Sequence, residues 1–180
     1  FAIQIDPALR WETLAWVREI WQGPLYIKGI MTVDDALAAQ RLGAEGIVLS
    51  NHGGRQLDGT HSPMLVLPAV RAAVGPDFSV LIDSGFRRGT DVVKALALGA
   101  DAVLLGRPLL YAVAAGGEAL VGSTIGMVKQ EIGRALAQLG CLSVKQLHAG
   151  LLRRVRASIA ATSPPSRPWA AGRWRSSTTA

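Results

Sequence analysis

A single cysteine, Cys141, in 180 residues leaves no partner for an internal disulfide, which excludes a small stapled scaffold. A lone thiol suits a reducing compartment such as the cytoplasm, and a buried structural role is expected for it. Three histidines and that one cysteine form no cluster at metal-ligand spacing, so no metal site is expected. No Gly-x-Ser-x-Gly elbow occurs, which argues against serine-hydrolase chemistry. Aromatic residues make up only 6% of the chain; of its five tryptophans, Trp11, Trp16 and Trp21 recur every five residues. That spacing does not keep one helical face, so core and interface packing is expected of them rather than ligand stacking. No run reaches the roughly 18 apolar residues needed to span a bilayer, and no signal peptide is visible. The chain opens on Phe1 rather than methionine, so upstream sequence, with any targeting signal it carries, is expected to precede it.

Acidic residues are missing altogether after Leu152. Six of the 19 basic residues, all arginine, lie in that stretch at 153, 154, 156, 167, 173 and 175, and they account for the whole net charge of +6. The body is therefore electroneutral, and a nucleic-acid partner is not expected. From Arg153 onward the composition shifts to Ala, Ser, Thr, Pro, Arg and Trp without apolar periodicity. The division expected is a folded domain over 1–152 and a disordered basic tail over 153–180. The abrupt shift resembles out-of-frame translation of a GC-rich gene, so a frameshifted or misread end is expected.

What is present is a 49% hydrophobic chain in which short Val/Ile/Leu runs alternate with helical stretches. Strands are predicted at Leu25 to Lys28, Gly46 to Ser50, Ser79 to Asp83 and Ala102 to Gly106. All four are nearly continuously apolar, as strands buried on both faces are. Helices are predicted from Trp11 to Trp21 and from about Glu118 to Leu139. Thr32 with Asp35 forms a candidate capping box, Thr90 is a candidate N-cap, and Gly43 and Gly99 sit at C-terminal caps. Leu42-Gly43-Ala44-Glu45 before Ile47-Val48-Leu49 reappears 56 residues later as Leu98-Gly99-Ala100-Asp101 before Val103-Leu104-Leu105. Two βαβα quarters in tandem make an α/β fold with four βα units, the C-terminal half of a (β/α)8 TIM barrel. A doubly wound sheet would place its phosphate loop after the first strand, whereas the glycine-rich candidates here follow the last two.

In a barrel the carboxyl ends of the strands face the active site. Those ends read Lys28; Ser50-Asn51-His52-Gly53-Gly54-Arg55; Asp83-Ser84-Gly85-Phe86-Arg87-Arg88-Gly89; and Gly106-Arg107-Pro108. His52 near Arg55 sets a group that titrates near neutrality beside a fork able to hold a carboxylate, which suits a base acting on an anionic acid. Lys28 ends an apolar strand, where it either pairs with Asp83 or a neighbour, or faces a cofactor or a developing negative charge. Gly85, Arg87, Gly89, Gly106 and Arg107 fit the phosphate site built after strands 7 and 8 of a barrel. Arg88 is expected to be a solvated or intersubunit charge.

The string Ser50-Asn51-His52-Gly53-Gly54-Arg55-Gln56-Leu57-Asp58 resembles the active-site signature of the FMN-dependent 2-hydroxy-acid dehydrogenases and oxidases. The resemblance runs from about Asp6 to Leu151 through Ile27-Lys28-Gly29, Asp83 to Gly89, Lys94 to Ala100 and Leu105-Gly106-Arg107. Ser62-Pro63-Met64 and Leu81 to Arg88 look most like the mandelate dehydrogenases, with the lactate dehydrogenases next. The resemblance implies FMN as cofactor, His52 as the base, Arg55 as the clamp on the substrate carboxylate, and Lys28 near flavin N1 and O2. It further implies Ser50 against the flavin ring, Asp83 on the ribityl chain, and Gly85, Arg87, Gly106 and Arg107 on the phosphate. A small 2-hydroxy acid is the implied substrate, with a quinone, cytochrome or oxygen as electron acceptor, and the whole enzyme is expected to be homo-oligomeric. Peripheral attachment to the inner membrane occurs in some members. The first four βα units of the family fall outside this sequence, so the chain alone is expected not to turn over substrate and to self-associate through open sheet edges. Two other readings stand beside this one: a truncated inactive fragment, and another phosphate-binding barrel flavoprotein.

Overall fold

The computed structural model describes residues 9–153. The tail expected over 153–180 lies outside the described residues apart from Arg153. Four strands, β1 (Tyr26–Ile30), β2 (Gly46–Leu49), β3 (Ser79–Ile82) and β4 (Ala102–Val103), form one sheet in the order β1-β2-β3-β4. All three pairings are parallel, and each strand neighbours the next in sequence. A doubly wound sheet reverses its strand order at a switch point, and none occurs here, so the sheet is an arc of a barrel wall.

Helices α1 (Trp11–Ile20), α2 (Val33–Arg41), α3 (Pro63–Val74), α4 (Gly89–Ala97) and α5 (Arg107–Leu139) complete the fold. Ile47, Leu49, Val80 and Ile82 alternate toward the helical layer, where they meet Ala36, Ala39, Leu67 and Val70, all fully buried. Full burial of both faces, expected of every strand, holds only for β2. β1 and β4 are the sheet's outer strands and alternate or open to solvent, and β4 is cut to two residues.

Thr32 caps α2, its hydroxyl accepting from the Asp35 N–H at 3.1 Å and donating to the Asp35 carboxylate at 2.7 Å. Thr90 is not the cap of α4. That helix begins one residue earlier, and the Asp91 carboxylate turns back to accept from Arg87 N and Arg88 N at 3.2 and 3.1 Å. An ionised acid in the first turn is a better partner for those amides than a hydroxyl. Gly89 is fixed by packing, since a Cβ there would lie 2.5 Å from Glu131 Cβ on α5.

The helix expected from Glu118 is the second arm of α5. A first arm starts at Arg107, and the backbone leaves helical geometry at Gly116 and Gly117 between them. With both arms counted, α5 is 33 residues long, and an 18-residue window in it has a mean hydropathy of 1.3, so by length and composition alone it passes for a helix able to cross a membrane, although the break at Gly116 and Gly117 divides it. That hydropathy comes from Leu, Val, Ile and Ala residues interrupted by Glu118, Ser123, Thr124 and several glycines, not from one continuous apolar run. Trp11 packs against the core, whereas Trp16 and Trp21 are exposed. Cys141 is half-exposed rather than buried, because it follows the left-handed Gly140 cap at the end of α5.

The repeat has a structural meaning. Asp101 accepts from Val80 N and from Arg71 Nη2, both at 2.7 Å, while Arg71 also donates to the carbonyls of Gly75, Phe78 and Gly99 at 2.7 Å. One repeat earlier, Glu45 accepts from Leu25 N at 2.5 Å and pairs with Arg18, which donates to the Gly43 carbonyl at 3.3 Å. That Leu25 hydrogen bond, with the Arg18 charge, holds the Glu45 carboxyl below its usual range against the opposing effect of burial. Each device ties a helix and two strands together at the amino edge of the sheet. Arg71→Met strands three carbonyls and a carboxylate, and is expected to lower stability by about 3 kcal/mol. Arg18→Met, with longer and wetter contacts, is expected to lower it less, as urea unfolding midpoints will show.

Candidate active site at the carboxyl ends of the strands

Alternation along parallel strands puts residues i and i+2 on one face. Lys28 is in register with Val48, and Val48 with Leu81, so Ser50 and Asp83 continue the Lys28 face, opposite the helices. The three side chains meet there. Lys28 Nζ lies 2.9 Å from Asp83 Oδ2 and donates to Ser50 Oγ at 2.7 Å. The pairing with Asp83 expected of Lys28 is present, and the ammonium also lies in the lining of an open cleft. Burial pushes the Asp83 carboxyl up, but hydrogen bonds from Ser50, Lys28 and Ser84, with the Lys28 charge, outweigh it and hold the carboxyl below the usual range.

After β2 the chain makes one 3-10 turn, His52–Gly54. His52 sits at φ 55, left-handed backbone that a non-glycine residue seldom adopts. Its N–H donates to Ser50 Oγ at 3.1 Å. The Gly53 N–H is shared between Asn51 Oδ1 at 3.0 Å and Ser84 Oγ at 3.1 Å. Arg107 Nη2, arriving from β4, donates to the Gly53 carbonyl at 3.0 Å. The β1 bulge at Gly29 lets the imidazole approach, for a Cβ there would stand 3.3 Å from His52 Cε1.

His52, Arg55, Lys28, Asp83, Gly85, Arg87, Gly106 and Arg107 all line one cleft of about 620 Å3, within the range of small-ligand sites. Ser50, fully buried, supports it from beneath. Asp83 is the one carboxylate in the lining and is matched by Lys28. Among the described residues, Arg55, Arg87 and Arg107 form no salt bridge, so the cleft carries an excess of positive charge. Such a concave site draws and holds anions.

Gly85 at φ 88 and Gly106 have open space where a Cβ would stand, and no side chain caps the start of α5 at Arg107. Backbone at Gly85 and Gly106, flanked by two arginines, is the arrangement that seats a phosphate. Gly89 does not join it: its N–H donates to Glu131 Oε2 at 2.6 Å, and the Arg87 and Arg88 amides before it are taken by Asp91. That Gly89 contact, despite the opposing burial and with help from Arg88, holds the Glu131 carboxyl low. Arg88 is a solvated charge, its side chain 71% exposed, and it also pairs with Glu131 at 3.3 Å. Sequence reasoning missed Ser84, Asn51 and Gly29 as supports and Gln56, Phe86, Leu104 and Leu110 as lining. Only Gly29, a glycine inside a strand, carried a readable signal, that of a bulge.

An Asp83 carboxyl held low contributes stability above the ordinary carboxylate pKa and loses it as pH falls through the lowered folded value. Asp83→Asn is therefore expected to flatten the fall in stability between about pH 5 and pH 2 relative to the parent chain, measured by urea unfolding at each pH. Equal slopes would contradict the charged pair.

The profile of a family described as FMN-dependent dehydrogenase matches residues 1–154. An L-lactate dehydrogenase of Xanthomonas campestris pv. campestris is 50% identical over 154 residues, covering 86% of this chain and 40% of the relative. One from Pectobacterium atrosepticum is 48% identical over 154 residues with the same coverage. The crystal structure of the monotopic membrane protein (S)-mandelate dehydrogenase superposes with a TM-score of 0.82 at 49% identity, over 86% of this chain and 41% of that one. A mandelate oxidase with an FMN adduct gives 0.73 at 45% identity, over 76% and 44%. The chain thus spans about 40% of the length of the curated relatives it matches. It matches part of their barrel, on the strand ends where His52, Arg55 and the arginine-lined cleft lie, and with a profile match that runs over residues 1–154 it belongs to the FMN-dependent dehydrogenase family.

Proposed function

We propose that the protein of which this chain is part oxidises an (S)-2-hydroxy acid to the 2-oxo acid with FMN, and that (S)-mandelate or L-lactate is the substrate. The observation that carries the reading is an exposed imidazole in one cleft with three arginines that form no salt bridge among the described residues. The cleft fits FMN on its own geometry. Gly85 and Gly106 with Arg87 and Arg107 make an anion seat at one end, and the Lys28–Ser50–Asp83 cluster offers donors and acceptors within the same lining. FMN, when bound, accepts the hydride equivalent that leaves the substrate α-carbon.

The other roles belong to side chains. Arg55 holds the substrate carboxylate through its fork of donors, which fixes the hydroxyl toward His52. His52 takes the hydroxyl proton as the C–H bond breaks, or the α-proton in a carbanion route. Lys28 places positive charge where the reduced cofactor becomes anionic. Arg87 and Arg107, with the Gly85 and Gly106 backbone, hold the cofactor phosphate. The chain covers about 40% of the length of its relatives, so turnover is a property of the longer protein. In this reading that protein is a homo-oligomer that passes electrons to a quinone, a cytochrome or oxygen, and is cytoplasmic or attached peripherally to the inner membrane; a neighbour described as a monotopic membrane protein supports the second location. Another FMN-binding barrel would use the same anion seat but gives no reason for the adjacent His52 and Arg55.

The test is to add FMN, desalt, and mix anaerobically with (S)-mandelate and then (S)-lactate. The complete protein is expected to retain flavin and to bleach with one of the two; no bleaching with either acid would overturn the reading. His52→Gln is expected to slow bleaching by about 10²- to 10⁴-fold without loss of flavin. Arg55→Met is expected chiefly to raise the acid concentration needed, because the clamp acts before and during the transfer alike.

A further inference from the structure

We infer that Ser84 is a positioning residue for His52, its hydroxyl transmitting the placement of the Asp83 carboxylate to the histidine turn. The inference rests on the reading of His52 as the base.

Six groups close a ring around the His52–Gly53 peptide. Asp83 Oδ2 pairs with Lys28 Nζ at 2.9 Å, and Lys28 donates to Ser50 Oγ at 2.7 Å. Ser50 Oγ accepts from His52 N at 3.1 Å. On the other side Asp83 Oδ1 accepts from Ser84 Oγ at 2.7 Å, and Ser84 Oγ accepts from Gly53 N at 3.1 Å. Two consecutive amides, those of His52 and Gly53, are thus each held by a hydroxyl that is itself held by the Lys28–Asp83 pair. The proton count closes at Ser84, whose single hydroxyl hydrogen goes to Asp83 and leaves a lone pair for the Gly53 amide.

The backbone supports the same conclusion. Ser84 stands at φ 75, where glycine would sit without strain, and the only other non-glycine residue at positive φ among the described residues is His52 itself. Strain at two linked positions persists only where the surroundings over-determine it, and such pairs gather at functional sites. A serine at that backbone position supplies the one thing glycine cannot, a hydroxyl across to the β2 turn, 31 residues distant. Space is tight on the far side of the ring, where Gly29 meets His52 Cε1, so a small shift of the turn moves the imidazole.

Two variants separate hydroxyl from strain: Ser84→Gly removes both, and Ser84→Ala removes the hydroxyl alone. In each, amide exchange at Gly53 is expected to rise about 2- to 10-fold, while the Val80 and Ile82 amides in β3 keep their protection. Asn51 retains its share of the Gly53 N–H, which sets the lower end of that range. The imidazole NMR signals of His52 are expected to shift in both variants. In the FMN-loaded complete protein kcat is expected to fall about tenfold with KM for the hydroxy acid within about twofold, since Arg55 is untouched. Unchanged Gly53 exchange and His52 signals in Ser84→Gly overturn the inference, and so does an unchanged kcat. If those signals respond but the parent protein never bleaches with a hydroxy acid, the functional reading falls and the positioning role stands, because exchange and NMR need neither flavin nor substrate.

Discussion

An ammonium at the end of an apolar strand is tolerable only if its charge is matched close by, and the rest of the site follows from how Lys28 meets that condition. Its partner is Asp83, at the end of the strand two places along the sheet, and Ser50 on the strand between them bridges the two. This geometry requires parallel strands in register, because only then do Lys28, Ser50 and Asp83 point to one face, with Ser50 and Asp83 two residues beyond the partners of Lys28. Once the pair exists, it supplies the fixed points to which the His52 turn is tied.

The two edges of the sheet divide the work. At the amino edge, Arg71 with Asp101 and Arg18 with Glu45 clamp helices to strands, and every charge in those clamps has its partner. At the carboxyl edge, among the described residues, Arg55, Arg87 and Arg107 form no salt bridge, the turns adopt left-handed backbone at His52 and Ser84, and glycines leave open space. Barrels show this division in general, stability at the bottom and chemistry at the top. Here its physical form is the contrast between satisfied and unsatisfied charge.

Two helix starts beside the cleft illustrate the same contrast. At the start of α4 the Arg87 and Arg88 amides just before the helix are taken by Asp91 and the Gly89 amide by Glu131, acids of the chain itself, so that helix start serves packing against α5. The start of α5 has no side-chain cap and opens beside Arg107 and Gly106. Position in sequence does not separate these two glycine-rich turns, but the partners of their amides do.

The sequence by itself determined the strand and helix order, the parallel sheet and the residues that line its carboxyl ends, because apolar period, cap residues and strand-end polarity are local signals that the chain carries within a few residues. The repeat around Glu45 and Asp101 was equally legible, though its purpose as an arginine clamp was not. Tertiary structure alone decided which amides Asp91 and Glu131 would take, that Arg88 would be spent on α5, that α5 would begin at Arg107, and that Ser84 would reach the Gly53 amide. Each of those is a contact between groups far apart in the chain, or a backbone angle imposed on a residue with no preference for it, and such choices depend on what the fold brings near.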